Sequence, residues 1–122
     1  MKKRVLVVDD TPILTESIGE MLMMEGFEVS LAYNGRGGLA ICRKSLPDLI
    51  LTDLVMPEMG GFEFIQHIRN GNVTSSIPII VLTADTNAEN HAKASSAGAN
   101  LILNKPFDED FLIHSIRKLL AV

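Results

Sequence analysis

Tryptophan is absent from the 122 residues, and tyrosine and cysteine each occur once. A lone Cys42 excludes an intrachain disulfide and offers no metal-ligand spacing, so it reads as a small apolar residue on a helix. No apolar run approaches the ~20 residues that a membrane-spanning helix needs. The longest, such as residues 77–82, are strand-sized. Met1, Lys2, Lys3 and Arg4 form a basic start, but only four apolar residues follow before Asp9 and Asp10. That is too short for a signal peptide, so no targeting segment is read and a cytoplasmic location is expected. Net charge is −4 and there is no basic stripe, which argues against direct nucleic-acid binding and against a membrane partner. Hydrophobic residues at 47% and charged residues at 21% are instead the balance of an ordinary globular chain, of a length that fits one domain over residues 1–122.

What is present is an alternation of strand-like and helix-like segments, repeated five times. Residues 5–8, 49–52 and 79–82 are continuous apolar runs, the pattern of strands buried on both faces. Residues 27–32 and 101–103 supply two further strands. Thr11 followed by Pro12 has the form of a helix start. Ile13, Leu14, Ile18, Met21 and Leu22 then recur at helical spacing until Gly26 ends the helix. Further helices are expected over 35–45, 61–70 and 87–97, and a last one is capped by Asp108 with Leu112, Ile116, Leu119 and Leu120 inward. Five βα units imply an α/β fold, a doubly wound parallel sheet with helices on both faces, and the strand order 2-1-3-4-5 is expected. No linker, repeat or second domain is read.

Ligands of such sheets bind beyond the carboxyl ends of the strands. The first strand delivers Asp9 and Asp10 to that edge, the third Asp53, the fourth Thr83 and the fifth Lys105. Two carboxylates in contact repel by roughly 4 kcal/mol at an effective dielectric near 20, so a cluster of three needs a cation or a proton. Its ligands are hard oxygens without Cys or His, which selects Mg²⁺ or Mn²⁺ over Zn²⁺. Lys105 adds a point charge and Thr83 a hydroxyl, and with a metal they match the three oxygens of a transferring phosphoryl group. Asp53, alone and central, is the best nucleophile. Taken singly, each residue has a plainer reading: an Asp in a turn, a Thr filling a strand end, a Lys in solvent. Five of them on one edge make the plainer readings improbable together.

These residues stand in stretches that resemble the receiver domains of two-component response regulators, the chemotaxis type included. The stretches are VLVVDD at 5–10, DLILTDLVMPEMGGFE at 48–63, PIIVLTA at 78–84 and GANLILNKPF at 98–107. The resemblance covers essentially the whole chain and implies a flavodoxin-like fold. The 2-1-3-4-5 order is that of known members of this family, so it rests on the resemblance as much as on the pattern. The resemblance implies a signalling module that is not an enzyme in the ordinary sense: a histidine kinase or a histidine phosphotransfer protein supplies phosphohistidine, and Asp53 takes the phosphoryl group. Asp10 is then a direct Mg²⁺ ligand and Asp9 mainly a water-mediated one, with Asp53 and the backbone carbonyl of Val55 completing the protein ligands. Lys105 pairs with Asp53 or its phosphate, Thr83 moves to the phosphoryl oxygen, and Lys105–Pro106 is cis. Receivers also catalyse their own dephosphorylation, and their fourth helix, fifth strand and fifth helix form the face that meets a downstream protein or output domain.

Three positions depart from the family pattern. Ile102 stands where an aromatic relay is common, Gly60 where an Asp often precedes the third helix, and Asn104 where a small or hydroxylated residue is frequent. The fourth helix carries mainly Ala88, Ala92, Ala94 and Ala97 on its apolar positions, so weak anchoring is expected. That fits either a switching helix or a simple Ala-rich surface helix. His67, His91 and His114 are expected to face solvent. Two other functions share parts of the pattern. A Mg²⁺-dependent phosphohydrolase with an Asp nucleophile needs a cap domain, which is not seen. A flavin or nucleotide binder needs a Gly- or Ser-rich first loop, where Asp9 and Asp10 stand instead.

Overall fold

The computed structural model describes residues 2–122; Met1, first residue of the expected domain, lies outside them. Its strands are β1 (Arg4–Val8), β2 (Glu28–Ala32), β3 (Leu49–Thr52), β4 (Ile79–Thr83) and β5 (Leu101–Asn104). The helices between and after them are α1 (Pro12–Met24), α2 (Gly35–Lys44), α3 (Gly61–Asn70), α4 (Ala88–Ala97) and α5 (Glu109–Leu120). The five strands form one parallel sheet in the order β2-β1-β3-β4-β5, the order expected.

The apolar runs explain this arrangement. β3 and β4 are buried along their whole length, and β1 beyond Arg4, because helices cover both faces. Side chains alternate between two cores. Leu6, Val8, Ile50, Ile79 and Val81 meet Phe64, Ile65 and Ile68 of α3, Cys42 of α2 and Ala94 of α4. Val5, Val7, Leu49, Leu51, Ile80 and Leu82 meet Ile18 and Leu22 of α1 and Leu112 and Ile116 of α5. The edge strands β2 and β5 are only partly buried.

Several local expectations change. Ile13 does not join the inward stripe of α1; it is 82% exposed. The buried face of that helix is Thr15, Ile18, Gly19 and Leu22. At 3.6 residues per turn, position 13 lies on the side of the helix opposite position 15. Thr11 occupies the cap position, but its side chain makes no capping bond. The cap of α2 is Asn34, whose Oδ1 accepts from the Gly37 N–H at 2.7 Å. β2 starts at Glu28 rather than Phe27, which is buried just ahead of it. His91 is half-buried rather than solvent-facing, with Nε2 2.6 Å from the Asp85 carbonyl. α4 buries Ala94 alone, so its expected weak apolar anchoring is what the structure has.

Arg69, at the end of α3, supplies a polar anchor instead. Its guanidinium donates to the Gly98 carbonyl at 2.7 and 3.1 Å, to the Ile77 carbonyl at 2.6 Å and to Asn100 Oδ1 at 3.0 Å. One side chain thus ties α3 to the start of β4 and to the carboxyl end of α4.

Candidate functional site

Parallel pairing brings the strand ends level. Val8 pairs with Thr52 across β1 and β3, so Asp9 and Asp53 emerge side by side. The Asp53 N–H donates to the Val8 carbonyl at 3.0 Å, and the Asp9 N–H to the Ala32 carbonyl at 3.1 Å, which extends the ladder to the edge of the sheet. This junction is where the strand order changes direction, the place such sheets offer to a ligand.

The two adjacent carboxylates differ. Asp9 is buried and Asp10 exposed. Asp9 Oδ1 accepts from the Thr11 N–H at 3.0 Å, and its Oδ2 accepts from Lys105 Nζ at 2.6 Å. The Thr15 hydroxyl lies 2.9 Å from the Asp9 carbonyl and steadies the turn. Asp53 is 9% exposed. Its Oδ1 accepts from the Leu54 N–H at 2.6 Å and its Oδ2 from Lys105 Nζ at 3.0 Å. Carboxylate oxygens of Asp9, Asp10 and Asp53 all lie within 4.8 Å of one another, a spacing that could hold one cation.

Lys105 bridges Asp9 and Asp53, a pairing broader than the expected contact with Asp53 alone. Burial pulls its ammonium pKa down, but the bonds to the two carboxylates outweigh burial and leave the group above its ordinary value. It is therefore a cation throughout the neutral range. Its N–H donates to the Thr83 carbonyl at 2.9 Å, and its peptide bond to Pro106 is cis as expected. Thr83, at the end of β4, is buried. Its hydroxyl accepts from the Asp85 N–H at 3.1 Å. The Asp85 carboxyl is held below the usual range, first by the Asn87 N–H and then by the Asn90 amide. Val55 exposes 69% of its surface, so its main chain is what it can offer a ligand.

Three supports were not visible in the sequence reading. Met56 and Met59 are buried beneath the loop that follows Asp53, and Glu58 takes a left-handed turn at φ 65° between them. Gly61 packs against the Asp53 backbone so tightly that a Cβ there would stand 2.3 Å from the Asp53 carbonyl oxygen. Asn104 extends its amide to the loop after β4, at 3.0 Å from the Asp85 carbonyl. Only the last departs from the family pattern named above, and that departure was the available signal.

A family model described as "Response regulator receiver domain" matches residues 5–117. The chain is a member of that family. Receiver domains are signalling modules, and response regulators work between histidine kinases and downstream effectors. This receiver is 36% identical to Protein PilH of Pseudomonas aeruginosa over 118 residues, 97% of the chain and 98% of that protein. Its fold matches the chemotaxis response regulator CheY4 of Vibrio cholerae with a TM-score of 0.90 at 33% identity, over 98% of this chain and 99% of the other. It also matches the receiver domain of the sensor histidine kinase PA1611 from Pseudomonas aeruginosa, with a TM-score of 0.91 at 27% identity and 100% coverage of both chains. That structure holds a magnesium ion coordinated in its active-site cleft. Several other curated relatives are longer: the receiver spans 48% of the DNA-binding regulator RpaA of a Synechocystis strain. Among the described residues, no helix is long and apolar enough to cross a membrane.

Proposed function

We propose that Asp53 is the phosphoacceptor of this receiver. The observation that carries the reading is the Asp53 carboxylate itself: buried at the end of a central strand, bonded to Lys105 and within 4.8 Å of oxygens from Asp9 and Asp10. An oxygen of Asp53 attacks the phosphorus of a phosphohistidine, the N–P bond breaks, an acyl phosphate forms and the imidazole leaves with the electron pair. Lys105 neutralises charge on the transferring group, and the Thr83 hydroxyl turns to donate to a phosphoryl oxygen. Mg²⁺ suits the hard-oxygen set, with Asp10 and Asp53 as direct ligands, Asp9 through water and the Val55 carbonyl beside them. When bound, it supplies positive charge opposite the phosphoryl oxygens.

The donor is a histidine kinase or histidine phosphotransfer protein. A groove of about 390 Å³ lined by Leu14, Lys105, Pro106, Phe107 and Glu109 reaches the site through Lys105, and Leu14, Pro106 and Phe107 make much of its lining apolar. Such a surface suits a protein donor better than a small ester. The downstream partner meets the face of α4, β5 and α5, where Phe111 is half exposed beside Leu101 and Leu119. The unit is one domain over residues 1–122 that works in the cytoplasm, touches no nucleic acid itself, and catalyses only its own phosphorylation and dephosphorylation. Incubation with acetyl phosphate or phosphoramidate and Mg²⁺ tests the assignment. Intact mass should show one added phosphoryl group, lost in Asp53→Ala and without metal. Full labelling of Asp53→Ala would overturn it.

A further inference from the structure

α3 and α4 have equal length, yet they are seated by different forces. α3 buries Gly61, Phe64, Ile65 and Ile68, whereas α4 buries Ala94 alone. An Ala side chain removes little apolar area from water, so the amino end of α4 needs another hold. Polar bonds converge there on Asp85. Its Oδ1 accepts from the Asn87 N–H at 2.8 Å and its Oδ2 from Asn90 Nδ2 at 2.7 Å. Its carbonyl lies 2.6 Å from His91 Nε2. These three bonds bind Asp85 to the helix. Two others bind it to the sheet: its N–H donates to the Thr83 hydroxyl at 3.1 Å, and its carbonyl accepts from Asn104 Nδ2 at 3.0 Å.

The two sheet-side bonds come from the strand ends on the edge that carries the acid cluster. Thr83 and Asn104 are register partners at the ends of β4 and β5. Asn104 precedes Lys105, whose ammonium holds Asp9 and Asp53. Its amide also lies 3.3 Å from the Thr83 carbonyl. We propose that Asn104 is a positioning residue: with Thr83 it latches Asp85, and through Asp85 it holds the amino end of α4 in the resting position.

The latch rests on Asp53 being the phosphoacceptor for its trigger, though not for its existence. When the Thr83 hydroxyl turns to a phosphoryl oxygen, the Asp85 N–H loses its acceptor. Asn104 is then the remaining tie from the sheet to Asp85, and α4 shifts to a looser seat. This route needs no aromatic ring in β5, where this chain has Ile102 packed against the core beside α4.

Hydrogen exchange of residues 85–92 in the full chain tests this, with and without beryllofluoride and Mg²⁺ as a phosphoryl mimic. Asn104→Ala removes the amide, and Asn104→Leu removes it while keeping the bulk. Wild type should exchange slowly at rest and faster with the mimic. Both variants should exchange about two- to tenfold faster at rest, the worth of one hydrogen bond, and faster still with the mimic, which releases the Thr83 tie that the variants retain. Exchange in β1 reports that each variant is folded and should match wild type. Resting exchange equal to wild type in the folded variants, or variants that with the mimic exchange no faster than wild type does with it, would overturn the latch. If wild type takes up no phosphoryl group by mass and ignores the mimic, the Asp53 reading fails separately. The resting comparison then decides the latch alone.

Discussion

Replacing Asp10 by asparagine should stabilise the metal-free protein and abolish most of its response to Mg²⁺. The three carboxylate oxygens lie within 4.8 Å of one another. Two unit charges at that distance repel by about 3.5 kcal/mol at an effective dielectric near 20. Asp9 and Asp53 recover much of this through Lys105, at 2.6 and 3.0 Å. Asp10 is exposed, so water screens its share, and about 1 kcal/mol of net repulsion remains to be relieved. Mg²⁺ reverses the order. A ligand at a hundred times its dissociation constant stabilises by about 2.7 kcal/mol, and with Asp10 as the direct ligand proposed above, Asp10→Asn should lose most of that gain. Urea unfolding at neutral pH, with chelator and again with excess Mg²⁺, reads both effects. The variant should have the higher midpoint in chelator and wild type the higher midpoint in Mg²⁺. A variant less stable than wild type in chelator, or one that gains as much from Mg²⁺, would refute the charge-cluster reasoning.

Gly61→Ala should destabilise by about 1–3 kcal/mol, because the new methyl meets backbone that cannot rotate away; Gly60→Asp next door has room, with its nearest neighbour at 3.4 Å, and should be neutral or slightly stabilising in the same urea titration. The Cys42 thiol, pushed up to about 11 by burial, should stay protonated and unreactive toward a disulfide reagent in the native protein. Its unfolded form ionises near 9.0, so stability should fall as pH climbs from there toward 11. Prompt native-state labelling at mildly alkaline pH would contradict this placement.

The fold was legible because its signals are local. Runs such as 49–52 and 79–82 declare doubly buried strands, and Gly26 and Gly98 end helices at φ 94° and 125°, where other residues are strained. Strand ends are equally local, which is why the sequence alone assigns Asp9, Asp10, Asp53, Thr83 and Lys105 to one edge. Partners across the chain were not legible. Nothing in the sequence says that Lys105 reaches Asp9 as well as Asp53, since those bonds join residues 96 and 52 positions apart. Adjacent Asp9 and Asp10 look alike in sequence, and only the turn made by Thr11 and Thr15 buries one and exposes the other. Ile13 misled for a related reason: spacing identifies a stripe but does not say where on the stripe the sheet begins. Asn104 was visible as an oddity, but its function depends on a carbonyl 19 residues away.

The guanidinium of Arg69 gives α4 a fixed end. By gripping the Gly98 carbonyl twice, it pins the helix where β5 begins, while the opposite end hangs on Asp85. A rod held so can swing but cannot slide. Ten residues make a rod about 15 Å long, so a tilt of roughly 10° at Gly98 carries the amino end through about 2.6 Å. Displacement on this surface is therefore graded, least beside Gly98 and greatest near Ala88. A partner that grips α4 near its amino end gains the most leverage in telling the two positions apart.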